Sequence, residues 1–498
     1  MSLSEESIPL DQAEICNFRF QIFEKVKKTG DDYYDSAEFR EMLAEYEQAV
    51  STGQPVFLDA DELSEIADYY QMSNRPDDAD KAISLALSLA PGAIGPLTYS
   101  IHEALFKGDT QKARELLDQI IEKDEPDYVY DYGEILLAEE RDDEADEYFE
   151  EAMKSVPDEE MRDYLLDVAG IMNDYSRSDL AMKWLERAPQ EDSTDYKELK
   201  AHALLGMGQY EDSEKLYNEL IDTNPFSKKY WTQLALAQFM REDYSAAVQS
   251  CEYAIAIDPN DIDSISTKAN GLYNLGNYEE ALEYFRRYAE LMPDDDYAYL
   301  HMGACQLNLG QREQALQTLL RGAELAQPDS PHLPELYQQL AFVYSDMQQT
   351  DKALEYLDRT DKLDCDHVTM CIIKGHALLA ANRFMEAQEK FSEAVRISDN
   401  PQATLVRVIV SLYDNHYVEA SYRMFRSFFK TVPPDFTDGY AYMALCCYEL
   451  KKDDEFLAYL KKACEVNPEE CRLALAHLFP EGTDPKDYYE YIRSKFEN

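Results

Sequence analysis

The sequence is short of cations. Its 498 residues hold 47 Lys and Arg against 100 Asp and Glu, a formal net charge of −53. Binding to nucleic acid needs cationic groups that displace condensed counterions, and anionic membrane surfaces attract the same groups. Neither is therefore an expected partner. Long apolar runs are also missing: no stretch reaches the roughly 18 residues that a spanning helix requires. The start, Met1-Ser-Leu-Ser-Glu-Glu-Ser, lacks the basic-then-apolar order of a secretory leader. These absences lead us to expect a soluble, cytoplasmic protein.

The signatures of chemistry are missing as well. The eight histidines, at 102, 202, 301, 332, 367, 376, 416 and 477, form no His-x-x-x-His pair. No phosphate-cradling Gly-x-x-x-x-Gly-Lys loop and no Gly-x-Ser-x-Gly elbow occurs. Nine cysteines include no Cys-x-x-Cys, and several fall in phase with apolar helix positions. They read as reduced core thiols, and a zinc site at Cys365 and Cys371 or at Cys464 and Cys471 would need tighter ligand spacing. We expect no metal, no cofactor and no catalytic residue. Glycine is scarce at 17, whereas apolar residues make up 45%, so the chain can bury a large core and favours helix.

What is present is a repeat. From Trp231 the chain runs through Leu234, Ala235, Tyr244, Ala247, Cys251 and Ala254 to Pro259, and the pattern returns 34 residues later at Ala269, Tyr278, Ala281, Phe285 and Pro293. The second-helix alanine recurs at Ala79, Ala113, Ala145, Ala181, Ala247, Ala281, Ala315, Ala353, Ala387 and Ala420, with Ser213 and Phe456 in the same slot. Twelve residues earlier comes a small residue, such as Ala67, Gly133, Ala169, Ala201, Ala235, Gly303 or Gly375. Four residues later comes a larger apolar one, such as Phe149, Tyr217, Phe285 or Phe391. Small residues let paired helices approach, and the large one fills the gap on the same face. Gly108, Gly208, Gly276, Gly310, Asn74 and Asn382 are placed for left-handed turns between helices. Pro91, Pro157, Pro225, Pro259, Pro293 and Pro468 end the second helix and preset the next start.

This small–aromatic–small–aromatic–Pro pattern resembles the tetratricopeptide repeat. The resemblance covers about residues 60–470 and implies an all-α superhelix, an α-solenoid of about twelve antiparallel helix pairs with helical caps. We expect residues 1–59 to be an N-terminal cap or degenerate repeat, with helical patterns at 11–28 and 36–50. Repeats one to eight span 60–333, repeats nine to twelve span 334–470, and residues 471–498 form a C-terminal cap. Pro328, Pro331 and Pro334 mark a longer loop and the best candidate for a break between two sub-solenoids.

The resemblance also implies a function: a non-enzymatic scaffold that takes a protein or peptide along its first helices. The candidate groove residues are Tyr130, Glu134, His202, Lys229, Phe239, Asn270, Asn274, Asn308, Phe342 and His376. Asn side chains pair with peptide backbone and aromatics anchor apolar groups. Relatives that grip acidic chaperone tails use Lys, Asn and Arg in consecutive first helices. Here Tyr297, Leu300 and Ala304 stand where cations would be needed, so a basic or extended partner is the better fit. An alternative is a solenoid that docks mainly to itself. Two segments bear on this choice. Residues 122–163 carry 19 acidic against four basic residues, a solvated face or a docking surface. Arg423-Met-Phe-Arg-Ser-Phe-Phe-Lys430 mixes cations with aromatics, as core packing with a basic rim or as a self-association patch.

Overall fold

Short, in-phase apolar patterns broken by turn residues every fifteen or so positions give short helices, and the computed structural model is built from them. It describes residues 31–496 except 35, 74, 190–192, 364–365, 434 and 481–482. The expected helix at 11–28, Asn74, Cys16 and Cys365 lie outside the described residues. Among the described residues there is no strand, and no helix is long and apolar enough to cross a membrane.

The described helices form two compact units, one ending at Leu275 and the other beginning at Gly276. Each is an α-solenoid of antiparallel helix pairs. The N-terminal unit opens with the single turn Asp31–Tyr34 and the helix Ala37–Thr52, then pairs Ala60–Met72 with Pro76–Leu89 and Ile94–Phe106 with Thr110–Leu117. Pro126–Ala138 pairs with Asp142–Met153, Met161–Asp174 with Ser178–Leu185, Thr194–Gly206 with Tyr210–Thr223, and Lys228–Met240 with Tyr244–Ile257. Ile262–Asn274 ends the unit. The C-terminal unit starts with Tyr278–Leu291 and adds five pairs, beginning at Asp296, Leu333, His367, Pro401 and Tyr440. Pro468–Leu475 and Tyr488–Phe496 close it. Among the described residues, twelve first helices and twelve second helices match the expected count.

The small-and-large register is the physical basis of each pair. A methyl group on Gly133 would lie 2.0 Å from the Phe149 ring, one on Gly303 2.4 Å from Leu319, and one on Gly375 2.4 Å from Phe391. In each of these pairs the large second-helix side chain therefore occupies the space left by the small first-helix residue. Phe149 and Leu319 are fully buried.

Two local rules emerge from the turns. Gly108, Gly208 and Gly310 take left-handed backbone angles, as their spacing predicts, and so does Asn382. The same slot is also filled by Glu140, Ser176, Glu242, Gln348, His416 and Lys451, all at positive φ. Helix pairing imposes the turn even where the residue resists it. Several prolines start helices instead of following them: Pro126, Pro401 and Pro468 open theirs. At that position the missing N–H has no intrahelical partner to lose. Residues 326–332, around Pro328 and Pro331, form a connection within the C-terminal unit, and Pro334 lies inside the first turn of Leu333–Asp346.

Candidate partner-binding face

First helices of successive pairs meet along a polar seam in the N-terminal unit. Thr98 donates to Asp131 at 2.7 Å, one first helix on. His102 Nε2 lies 3.3 Å from Asp131 and 3.5 Å from Glu134. Thr98, His102, Asp131 and Glu134 are all buried, as is Asp68 on the preceding first helix. Burial opposes a charge on His102, but Glu134, Asp131 and Asp68 outweigh it and raise the imidazole to about 9. The seam thus holds an imidazolium among carboxylates.

Farther along, Tyr130 donates to Asp167 at 3.1 Å and stacks on Tyr164 with ring centres 6.0 Å apart. Burial and the Asp167 charge both push its phenol well above the usual range. Tyr230 donates to Glu198 at 3.1 Å, and Lys229 forms an ion pair with the same carboxylate. Asn173 donates to the Leu199 carbonyl at 2.9 Å. Side chains of neighbouring first helices therefore face one another in register, pair after pair.

The ten sequence candidates distribute unevenly over this framework. Tyr130 and Glu134 fall within the seam, and His202 is half-buried on its own first helix. Phe239 is buried and packs edge-on against Tyr244 of its own pair at 5.2 Å. Asn270 is buried, and the Asn274 amide donates to its carbonyl at 2.9 Å. In the C-terminal unit Asn308 is exposed and donates to the Ala304 carbonyl at 3.0 Å. Phe342 is exposed. His376 Nδ1 lies 2.9 Å from the Ser411 hydroxyl and 3.1 Å from the Asn415 amide, and burial lowers its pKa.

Models of the tetratricopeptide repeat family match residues 101–160, 199–262, 272–333 and 334–364. Together with the eleven helix pairs within the two units, this decides the family. The chain is a tetratricopeptide repeat protein. DnaJ homolog subfamily C member 7 of Mus musculus is 26% identical over 190 residues, covering 36% of this chain and 38% of that one. Anaphase-promoting complex subunit 3 of Schizosaccharomyces pombe is 26% identical over 149 residues, 30% of this chain and 22% of that one. The tetratricopeptide chain thus spans well under half the length of these curated relatives. Among solved structures, yeast Tom70 aligns with 87% of this chain and 96% of its own, at 15% identity and a TM-score of 0.41. That score is low, and the assignment rests on the repeats themselves.

The tetratricopeptide register also lines up acidic side chains that a helix-by-helix reading separates. Six residues before the small residue of each first helix stand Asp61, Asp127, Asp163, Asp195 and Asp263, with Lys229 as the odd member. All five aspartates lie in the first turn of their helices. Asp61, Asp127 and Asp195 are exposed and Asp163 is half-buried. Gly95 fills the slot in the second pair, and a methyl group there would meet the Asp61 carboxylate at 2.9 Å. The slots of the first two pairs are therefore neighbours in space. Aligning the repeats by their small residue is the signal that finds this row. The C-terminal unit has Tyr297, Glu335, Thr369, Ala403 and Asp438 in the corresponding places and no such row.

Proposed function

We propose that this tetratricopeptide protein is a non-enzymatic scaffold that holds a basic, extended segment of a protein partner along the first helices of its N-terminal unit. The observation that carries the reading is the row Asp61, Asp127, Asp163 and Asp195, at one register on four of the first five first helices, with Gly95 in the slot between Asp61 and Asp127. Each aspartate also complements the positive end of its own helix, worth about 0.3–1 kcal/mol. That role does not require the same slot in every repeat, and the shared slot turns separate charges into a line. A peptide strand advances about 3.3 Å per residue, so several residues separate the Lys or Arg side chains that meet successive aspartates. The half-buried His202 flanks the line and contributes a polar contact, whereas Lys229, paired with Glu198, interrupts the line. In the C-terminal unit, Asn308 and Phe342 are exposed on their first helices and offer a separate candidate contact. The net charge of −53 raises the local concentration of cationic partners and speeds their approach. No nucleic acid, membrane, metal or cofactor enters the reading.

The test is a peptide array followed by titration calorimetry. Extended Lys/Arg-rich peptides should bind, and Asp/Glu-rich peptides of equal length should not. Changing Asp61, Asp127, Asp163 and Asp195 together to Asn should weaken basic-peptide binding at least about tenfold, or about 1.4 kcal/mol. Rising salt should erase most of the difference. Equal binding by the variant, or equal binding of acidic peptides, would refute the assignment.

A further inference from the structure

The described chain begins beside the aspartate row. The Tyr33 hydroxyl donates to the Glu65 carboxylate at 2.6 Å, and Glu65 stands one turn beyond Asp61 on Ala60–Met72. The Tyr34 ring lies 5.8 Å from that of Tyr69, on the same first helix. Both Tyr33 and Tyr34 are half-buried. The chain therefore enters the fold against the helix on which the row starts.

The sequence just before this entry carries the opposite charge to the row. Residues 1–18 hold four acids and no cation. Residues 19–28 then read Arg-Phe-Gln-Ile-Phe-Glu-Lys-Val-Lys-Lys, with the four cations Arg19, Lys25, Lys27 and Lys28 against one acid, Glu24. That is a net +3 over ten residues in a chain of net charge −53. One other stretch mixes cations with aromatics, at residues 423–430. There Phe425 and Phe428 are buried in the core of the C-terminal unit, and Arg423 pairs with Glu419 of its own helix at 3.1 Å. Its aromatics are committed to packing, so residues 19–28 are the better match for the row.

The reach is sufficient. Four residues separate Lys28 from Tyr33. At about 3.3 Å per residue, ten residues span about 30 Å. Packed helix axes stand about 8–10 Å apart, so the step from Asp61 past Gly95 to Asp127 is about 20 Å. The other acid-rich surface, on Asp142–Met153, offers no such place, because Arg177, Lys183 and Arg187 already meet its carboxylates.

We propose, resting on the reading of the row as a site for basic segments, that residues 19–28 dock on the chain's own aspartates across Asp61 and Asp127 and occupy the face that takes a partner. Joined to the row by so few residues, the segment competes at an effective concentration of about 1 mM. A partner binds by displacing it. Partners that bring more cations than these four have the advantage, and weakly basic ones are turned away. Rising salt loosens the internal segment and the partner alike.

The experiment treats the full chain with a carbodiimide, which joins an ammonium to a carboxylate in contact, and maps the linked peptides of the monomer fraction. Lys25, Lys27 or Lys28 should be joined to Asp61 or Asp127, and an excess of a Lys/Arg-rich peptide should suppress the link. In titration, changing Arg19, Lys25, Lys27 and Lys28 together to Gln should tighten binding of that peptide by about threefold to tenfold at low salt. That gain corresponds to a segment that covers the row about two-thirds to nine-tenths of the time. Changing four exposed cations of the C-terminal unit, Arg321, Lys362, Arg423 and Arg472, to Gln lowers the net charge equally and should tighten binding far less. Equal tightening by the two variants would overturn the proposal. So would links from these lysines that fall only on other carboxylates, or only between copies of the chain. Free basic peptides that bind the row while residues 19–28 form no link to it would sink this inference alone. Links to the row without any binding of free basic peptides would sink the scaffold reading and leave the internal docking standing.

Discussion

The N-terminal unit carries two acid-rich surfaces that look alike in sequence and differ in three dimensions. One is the second helix Asp142–Met153, at the centre of the most acidic stretch. The other is the aspartate row on the first helices. On the second helix, Asp142, Asp146 and Glu150 stand one turn apart and meet a comb of cations from the next pair. Arg177 lies 2.6 Å from Asp142, Lys183 2.6 Å from Asp146, and Arg187 2.6 Å from Glu150. The Trp184 indole donates to Asp146 at 2.9 Å. In the turn before this helix, Arg114 and Arg141 clasp Glu139 and hold its carboxyl down at about 2. This side of the acidic stretch is committed to holding neighbouring repeats together. Acidic composition alone does not mark a docking face. On this helix three carboxylates are already met by cations of the next repeat, whereas in the row Asp163 is met at 3.1 Å by Arg162, its own chain neighbour.

Breaking the joint between the two surfaces should have the largest effect. Phe149 leaves the acidic second helix and fills the space over Gly133 on the first helix. Phe149→Ala should cost about 3–5 kcal/mol and lower the melting temperature. Because first and second helix lose their register together, basic-peptide binding should fall with stability. A variant that melts normally would mean the ring is not the spacer between the helices.

The cation comb comes next. Replacing Arg177, Lys183 and Arg187 together by Gln removes partly exposed pairs, each worth about 0.2–1 kcal/mol, so denaturant unfolding should show a loss of about 1–2 kcal/mol. The same change leaves Asp142, Asp146 and Glu150 without their counter-charges. Binding of Lys/Arg-rich peptides should then strengthen at low salt, at a place where the unaltered protein binds none. Unchanged stability with unchanged binding would show that the comb neither holds the repeats nor shields the carboxylates.

How much of this was legible in the sequence follows from distance along the chain. The helix pairs were legible, because Gly133 and Phe149 or Gly375 and Phe391 state the packing rule within one repeat. The cation comb was not, since Arg177 and Asp142 lie in different repeats and each reads alone as an ordinary surface charge. The left-handed turns at Gly108 and Gly208 follow from residue type. Those at Glu140, Glu242 and His416 do not, because helix pairing sets the backbone there. Register alone places Phe239 among the first-helix slots, while its ring packs on Tyr244, a contact that no periodicity contains.

The finest test concerns the one member of the row that breaks its sign. Lys229 occupies the slot held by aspartate in four earlier pairs and is ion-paired with Glu198 of the preceding first helix. If the row is a line of contacts for a basic strand, Lys229 both interrupts it and neutralises a neighbour. Lys229→Asp should restore the line, release Glu198, and tighten binding of a long Lys/Arg-rich peptide by about twofold to threefold at low salt. The added repulsion between the introduced carboxylate and Glu198 acts on stability and not on the peptide, so a melt run beside the titration separates the two. A peptide too short to reach from Asp195 to this slot should gain much less. If the short peptide gains as much as the long one, the change reflects overall charge, and the aspartates act as separate helix caps and not as a row.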